Sequence, residues 1–148
     1  MPDVFSVDKR SEVMAKIRSK NTKPEMRLRR ALHRLGYRYK IHDTTLPGKP
    51  DIVLPKYKTL IQVRGCFWHG HTCNDGHLPK SNSPYWVEKL QRNKRRDRRN
   101  DRLARQLGWT VITVWECRCS SEKRLEHELR RIRIHLERRE AAAKRGSF

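Results

Sequence analysis

The sequence has few acidic residues, little apolar material and no long hydrophobic run. Asp and Glu number 16 against 36 Lys and Arg, which gives a formal net charge of +20, and 35% of residues are hydrophobic. A membrane-spanning helix needs roughly 20 apolar residues in a row, and residues 1–7 lack the apolar segment of a signal peptide. We therefore expect a soluble intracellular protein rather than a membrane or secreted one. So many positive charges repel one another in the folded protein, and a polyanionic partner would offset that repulsion. Nucleic acid is favoured over an anionic membrane as this partner.

Cysteine is scarce as well, since only Cys66, Cys73, Cys117 and Cys119 occur. In a secreted chain an even number would suggest disulfides, whereas in a basic intracellular chain metal ligation is favoured. The length of 148 residues suits one domain with a buried core. We treat residues 1–148 as that domain, with a polar, flexible tail over residues 139–148.

Hydrophobic periodicity and turn residues predict the order α-β-β-β-α-β with flanking helices, which is a mixed sheet between helices. Thr22 and Glu25 form a capping-box pattern before a helix that ends at Gly36. The other predicted elements are helices over residues 11–19, 84–107 and 122–138 and strands over residues 37–41, 51–54, 59–63 and 109–115. The inward stripe of the long helix has apolar ends and a polar middle: Trp86, Leu90, Asn93, Asp97, Asn100, Ala104 and Leu107.

Asp51 opens a short strand directly after a proline and is a candidate ligand for a divalent cation. Phosphodiester hydrolysis needs such a cation on the phosphate, and Mg²⁺ prefers carboxylate and carbonyl oxygens. If Tyr57 is the centre of the following turn, Asp51 lies opposite Val63, whose backbone carbonyl is then within reach. With Gln62 and Arg64 beside Val63, the pattern has the outline of a degenerate PD-(D/E)xK nuclease core. Taken alone, an Asp beside Pro is more often a turn cap.

A long loop after these strands carries Cys66, His71 and Cys73, and Cys117 follows the last predicted strand. Three thiols and one imidazole suit a tetrahedral, structural zinc ion. A loop of this length needs a staple, and zinc affinity would contribute directly to its folding. The alternative is a set of buried free thiols beside an exposed histidine.

His69 lies between these ligands and has two interpretations. It can act as a general base or orient water if Cys117 completes the zinc site. Alternatively His69 is itself the fourth ligand and Cys117 is a core thiol, and Cys119 is a further substitute for Cys117. Glu25, in the first turn of its helix, is interpreted as a capping residue.

Basic and aromatic residues supply candidate contacts to nucleic acid. A run of Lys and Arg in the long predicted helix is interrupted by only two acids, which favours phosphate contacts over a merely solvated face. Phe67, Trp68 and Trp86 either form a small core around the metal or stack on bases and wedge between them. Met14 and Ile17 on the first predicted helix allow the same two interpretations.

Four segments combine into a pattern specific to one family. They are Leu46-Pro47-Gly48-Lys49-Pro50-Asp51, Gly65-Cys66-Phe67-Trp68-His69-Gly70-His71, Trp86-Val87-Glu88-Lys89, and the stretch from Gly108 to Cys117. Together they resemble the very short patch repair (Vsr) endonucleases, from about Arg10 to Cys117. The resemblance implies an α/β, restriction-endonuclease-like fold of the PD-(D/E)xK type, a mixed sheet flanked by helices, with one structural zinc.

The resemblance also implies roles for individual residues. The family's zinc ligands fall on Cys66, His71, Cys73 and Cys117. His69 is thereby left for catalysis. The catalytic carboxylate falls on Asp51, which binds Mg²⁺ together with the Val63 carbonyl, and Glu25 lies near the site. The DNA contacts fall on three intercalating aromatics and on an N-terminal helix within residues 1–20 that lies in the minor groove: Phe67, Trp68, Trp86, Met14 and Ile17.

The implied activity is nicking of one DNA strand beside the T of a T·G mismatch, which arises when 5-methylcytosine deaminates. The expected enzyme is a monomer in the bacterial cytoplasm, associated with the nucleoid, and mismatch-repair proteins are candidate partners. Family members can carry Thr and His where this chain has Val63 and Arg64. Val63 keeps its carbonyl, whereas Arg64 cannot be a general base but can bind the scissile phosphate.

Two other functions remain open from the sequence. One is a sequence- or structure-specific nuclease of the same fold without a preference for mismatches. The other is a zinc-stapled DNA-binding module without catalysis, in which Asp51 and His69 are structural.

Overall fold

The structure is a computed structural model that describes residues 21–73 and 83–146. The predicted helix with Met14 and Ile17, and residues 74–82 of the long loop, lie outside these ranges. The described elements are, in chain order, α1 (Lys23–Arg34), β1 (Lys40–Ile41), β2 (Ile52–Leu54), β3 (Thr59–Arg64), α2 (Ser83–Gln106), β4 (Thr110–Trp115) and α3 (Glu122–Lys144). This α/β order is the predicted one.

The four strands form one mixed sheet in the order β1-β2-β3-β4. β1, β2 and β3 pair antiparallel, whereas β3 and β4 are parallel. Parallel neighbours need a long crossover, and the 24-residue helix α2 lies within it. β3 and β4 run in the same direction, so they finish at the same end of the sheet. Cys66 and Cys117, which follow these strands, therefore lie at that end.

The hairpin of β2 and β3 has a register one residue away from the predicted one. Ile52 pairs with Ile61, whereas the prediction pairs it with the next residue along β3. The cause is the 3₁₀ turn after β2, which ends at Lys58 in the left-handed conformation. The prediction that Asp51 lies directly opposite Val63 is therefore wrong for the two backbones. The side chain of Asp51 nevertheless reaches the backbone of Val63.

Helices cover both faces of the sheet, which explains why every residue of β2 is buried. α1 begins after Thr22, whose hydroxyl accepts a hydrogen bond from N of Glu25 at 3.4 Å, as the capping pattern predicts. The larger core cluster joins α1 and α3 to one face: Leu28, Leu32, Ile52, Leu54, Tyr57, Ile61, Ile112, Val114, Cys119, Ile132 and Leu136. A smaller cluster contains the alternate strand residues and joins α2 to the sheet: Val53, Leu60 and Ala104.

Three predicted details are wrong. β1 is limited to Lys40–Ile41 instead of residues 37–41. α3 continues past residue 138 to Lys144, because the alanines at 141–143 favour a helix, so much of the predicted tail is helical. Leu107 is 58% exposed instead of inward, since α2 ends one residue before it. Among the described helices, none is both long and apolar enough to cross a membrane.

Candidate active site and metal centre

Asp51 precedes β2, and its carboxylate is held at the end of β3. Its Oδ2 accepts a hydrogen bond from the backbone N of Val63 at 2.7 Å. Burial raises the pKa of the Asp51 carboxyl to about 6, although the Val63 hydrogen bond acts against the rise, and the charge of Glu25 adds to it. A carboxylate in such surroundings is stabilised by a neighbouring cation.

Glu25 and His42 complete a cluster with Asp51, because one ligand atom from each lies within 4.8 Å of those of the other two. Glu25 is only 1% exposed, and its Oε1 lies 2.7 Å from Nε2 of His42. Its Oε2 accepts a hydrogen bond from the backbone N of Asn21. His42 has a φ of 49°, which is uncommon outside glycine, and its backbone N donates to the carbonyl of Asp51. Glu25 thus accepts a hydrogen bond at the start of α1 and also belongs to the Asp51 cluster.

His69, in the loop after β3, is held by Asp97 of α2. Its Nδ1 lies 2.5 Å from Oδ2 of Asp97. Burial disfavours the charge of Asp97, but the hydrogen bond and charge of His69, together with the charge of Arg64, hold its pKa below the usual range. An ionised carboxylate only accepts hydrogen bonds, so Nδ1 donates and the lone pair of the neutral ring is on Nε2. The arrangement suits a histidine that takes a proton from water.

Other polar contacts fasten α2 to the same region. Nδ2 of Asn93 donates to the carbonyl of Trp68 at 2.8 Å. The guanidinium of Arg64 donates from Nη2 to Oδ1 of Asp101 at 2.7 Å and from Nη1 to Oγ1 of Thr113 at 3.0 Å. Arg64, a candidate for binding the scissile phosphate, therefore has a carboxylate and a hydroxyl as partners within the protein.

The predicted zinc ligands form a compact cluster at the end of β3 and β4. Ligand atoms of all four lie within 4.8 Å of one another: Cys66, His71, Cys73 and Cys117. Sγ of Cys117 lies 3.7 Å from Nδ1 of His71, and two such ligands of a tetrahedral zinc ion are about 3.6 Å apart. The ring of His71 also stacks on Trp115 at 4.2 Å. The donor set therefore fits zinc, and His69, the alternative ligand, contacts Asp97 instead.

Two thiols of this cluster, those of Cys66 and Cys117, are buried. Burial raises the pKa of Cys66 to about 12 and also raises that of Cys117, so both would ionise readily only beside a cation. Cys119, the suggested substitute ligand, lies in the larger core cluster, where burial raises its pKa to about 11. Its side chain is a core thiol.

Three aromatic rings pack edge to face beside the metal cluster. Phe67 lies 5.1 Å from Trp68 and 5.1 Å from Trp86, measured between ring centroids. Trp86 is 2% exposed, whereas Phe67 and Trp68 are partly exposed. In this conformation Trp86 supports the other two rings instead of offering a face of its own. Nζ of Lys89 lies 5.5 Å from the centroid of the Trp68 ring, so a cation lies near this partly exposed ring, which we call the outer ring.

The two sides of α2 have opposite electrostatic character. The side that faces the site carries polar residues spaced four apart, namely Asn93, Asp97 and Asp101. The two acids that interrupt the basic run of α2 therefore both contact residues of the site. The outward side carries exposed basic residues: Arg92, Arg95, Arg96, Arg98, Arg99, Arg102 and Arg105. This outward side is suited to a row of phosphates.

Sequence reasoning missed several residues of the site. The polar middle of the α2 stripe contained Asn93 and Asp97 and could have indicated inward polar partners. The predicted inward stripe contained Asn100, whereas its neighbour Asp101 faces the site. Hydrophobic periodicity does not locate a helix face more precisely than about one residue. His42 gave no signal, because only the pairing of β1 with β2 brings it to Asp51.

The acidic cluster around Asp51, a nearby histidine that an aspartate orients and a net charge of +20 are together typical of a nuclease. Residues 2–75 match the family described as DNA mismatch endonuclease Vsr. The chain belongs to this Vsr family of DNA mismatch endonucleases.

Individual relatives agree. The chain is 48% identical to the type II nicking enzyme V.NmeAIP of Neisseria meningitidis, over 89% of this chain and 94% of that enzyme. It is 46% identical to the type II nicking enzyme V.XorIIP of Xanthomonas oryzae pv. oryzae, over 89% and 97%. It is 38% identical to the DNA mismatch endonuclease Vsr of Escherichia coli, over 86% and 82%.

Proposed function

We propose that this endonuclease nicks one strand of duplex DNA next to the T of a T·G mismatch formed by deamination of 5-methylcytosine, and so starts very short patch repair. The observation that carries the proposal is that the charge of His69 acts on Asp51, and that the segment carrying His69 also carries two partly exposed aromatic rings. The name of the Escherichia coli relative, a mismatch endonuclease, supports the choice of substrate. We also propose that the sheet is of the PD-(D/E)xK type, which the position of the partly buried Asp51 directly before the central strand β2 supports.

Asp51, Glu25 and the backbone carbonyl of Val63 are proposed to hold Mg²⁺, and His42 fixes Glu25. The oxygen donors fit the preference of this ion, and the raised pKa of Asp51 favours a cation in their midst. When bound, Mg²⁺ would polarise the phosphate and stabilise the charge that develops on it. The chain's own residues orient the carboxylates through Val63, His42 and the start of α1.

His69 is proposed as the general base. Asp97 accepts from Nδ1, which leaves Nε2 to take the proton of the attacking water and Asp97 to stabilise the imidazolium that results. The zinc cluster is proposed to be structural, because four protein ligands leave no open position for substrate. Zinc would thereby fix both ends of the segment that carries Phe67, Trp68 and His69.

Contacts to DNA follow from the two exposed features. Phe67 and Trp68 are proposed to wedge beside the mismatch, with Trp86 as their support, and the basic outward side of α2 to bind phosphates. Met14 and Ile17 are proposed to enter the minor groove. Because one strand is cut, we propose a monomer that works at the bacterial nucleoid, with mismatch-repair proteins as candidate partners.

A second function is favoured by the names of two relatives, which are type II nicking enzymes. In that case the chain would nick a defined sequence whether or not the bases match. A panel of end-labelled duplexes separates the two functions: one T·G duplex and its T·A and C·G counterparts, each in several flanking contexts, with and without Mg²⁺. We expect cutting of the T strand in the T·G duplexes only. Equal cutting of matched duplexes would support the sequence-specific function, and no cutting of any would contradict both.

A further inference from the structure

Arg64 is the last residue of β3 and is almost enclosed, with 11% of its side chain exposed. Nη2 lies 2.7 Å from Asp101, Nη1 donates to Thr113, and Nε lies 3.9 Å from Oδ2 of Asp97. The two acids are themselves 16% and 12% exposed. Arg64 therefore joins three elements, β3, β4 and α2, through one guanidinium.

Arg64 offsets the negative charges of Asp97 and Asp101. Asp97 and Asp101 are four residues apart on one helix face, where like charges repel. Arg64 lies between them, so its removal would leave two half-buried carboxylates facing each other. Breaking such a pair on one side costs more than losing a surface ion pair, because the largely enclosed carboxylate of Asp101 would lose the guanidinium 2.7 Å away.

The position of Arg64 along the chain links this contact to the chemistry. Val63, its neighbour, donates to Asp51, and Asp97, its partner, accepts from His69. A shift of α2 relative to the end of β3 would thus change the distance between the Asp51 cluster and His69. A misplacement of about 1 Å between reacting groups can lower a rate by about 100-fold.

We infer that Arg64 is a positioning residue that sets His69 against Asp51 by holding Asp101 and Asp97, and that it is not a ligand of the scissile phosphate. Its donors toward Asp101 and Thr113 are already engaged, which leaves a phosphate to compete with a carboxylate 2.7 Å away. The inference rests on the proposed function in one respect, namely that His69 acts on the attacking water.

The test is a double-mutant cycle with Arg64→Gln and Asp101→Asn, measuring the single-turnover nicking rate and the Kd for the duplex. We expect each single variant to nick about 10- to 100-fold more slowly, with Kd changed less than about twofold. The double variant should be no slower than the slower single variant, since both remove one contact. Arg64→Lys, which keeps the charge but not the forked geometry, should recover part of the rate. Arg133→Gln removes an exposed ion pair with Glu137 and is the matched control, expected to have no effect.

Three outcomes would overturn the inference: a weakened Kd in Arg64→Gln with an unchanged rate, normal nicking by Asp101→Asn, or losses that multiply in the double variant. A second readout requires no nicking. The Nδ1 proton of His69, bonded to Asp97, should give a strongly downfield NMR resonance that shifts or broadens in Arg64→Gln and not in Arg133→Gln. An unchanged resonance contradicts positioning. If the wild-type protein lacks T·G preference, the proposed function fails while this measurement still decides the role of Arg64.

Discussion

Nδ1 of His69 lies 2.5 Å from Oδ2 of Asp97, a residue 28 positions further along the chain. The contact joins the loop after β3 to the middle of α2 and gives the histidine a single preferred tautomer. A charged partner fixed within the fold orients a base before substrate arrives.

Asp97→Asn should therefore lower nicking by roughly 100- to 10,000-fold, the range for loss of a positioned general base. An amide nitrogen can face Nδ1 and favour the wrong tautomer of His69. The measurement is the single-turnover rate on a T·G duplex, with the Kd for that duplex expected to be nearly unchanged. Asp43→Asn, which alters an exposed carboxylate, is the control. Normal nicking by the Asp97 variant would remove His69 as the base.

Asp51→Asn should abolish nicking and, in the absence of Mg²⁺, stabilise the protein above pH 6. The pKa of Asp51 rises from 3.8 to about 6 on folding, so the folded state holds this proton more tightly than the unfolded state. Stability is then lost as pH rises from about 4 to 6, and the uncharged amide escapes that loss, which is worth on the order of 1–3 kcal/mol. Urea unfolding of the zinc-containing protein at several pH values measures it. Asp43→Asn should show no gain, and a gain for Asp51→Asn that is equal at pH 4 and pH 8 would contradict the assigned cause.

His42→Ala should weaken activation by Mg²⁺ by about 10-fold or more, because Glu25 loses the partner that fixes its carboxylate. The readout is the Mg²⁺ concentration for half-maximal nicking, together with calorimetric binding of the ion. His33→Ala, at an exposed position of α1, is the control. If Mg²⁺ affinity is the same in both variants, His42 has no part in the cation site.

Cys73→Ser should release zinc and lower the midpoint of thermal unfolding, whereas Cys119→Ser should keep zinc. Cys73 belongs to the four-residue cluster, while Cys119 lies in the core. Metal content by mass spectrometry and unfolding by circular dichroism distinguish the two. Zinc loss from the Cys119 variant at normal stability would mean that the ligand set is wrong.

Trp68→Ala should reduce the ratio of T·G to T·A nicking, because the outer ring of the aromatic cluster is the proposed wedge. Base-aromatic stacking is worth about 1–3 kcal/mol per base, so a fall of roughly 10-fold is expected. Leu107→Ala removes an exposed apolar side chain just after α2 and should leave the ratio as it is. An unchanged ratio for Trp68→Ala would contradict wedging by this ring.

The sequence predicted the secondary-structure elements well because they depend on local patterns, whereas the fourth member of the metal cluster was fixed only by the resemblance to the Vsr family. Hydrophobic periodicity located α1, α2, β4 and α3. The spacing of Cys66, His71 and Cys73 indicated a metal site, and the fold brings Cys117 to these three residues. The register of the hairpin could not be predicted in the same way. It depended on whether Lys58 adopts a left-handed conformation, a single backbone choice that shifts every pair by one.

The partners of the site residues were harder to predict for a related reason. Asp97 and Asp101 reach His69 and Arg64 only through the crossover of α2, and His42 reaches Glu25 only through the shortest strand of the sheet. Such contacts depend on how elements pack and not on any spacing along the chain. Arg64 in particular looks like a free phosphate ligand until the acids of α2 are placed beside it.

The nearness of Cys66 and Cys117, 51 positions apart, also has a consequence for the unfolded chain. An ion that stays bound to both closes a loop of that size, and the entropy lost by an unfolded chain with a cross-link of this span corresponds to about 4 kcal/mol at room temperature in the loop-closure description. Zinc held there would act as a reversible substitute for a disulfide, because it would link the ends of two parallel strands without oxidation. Loss of zinc from that position would remove this constraint from the chain, before any DNA is encountered.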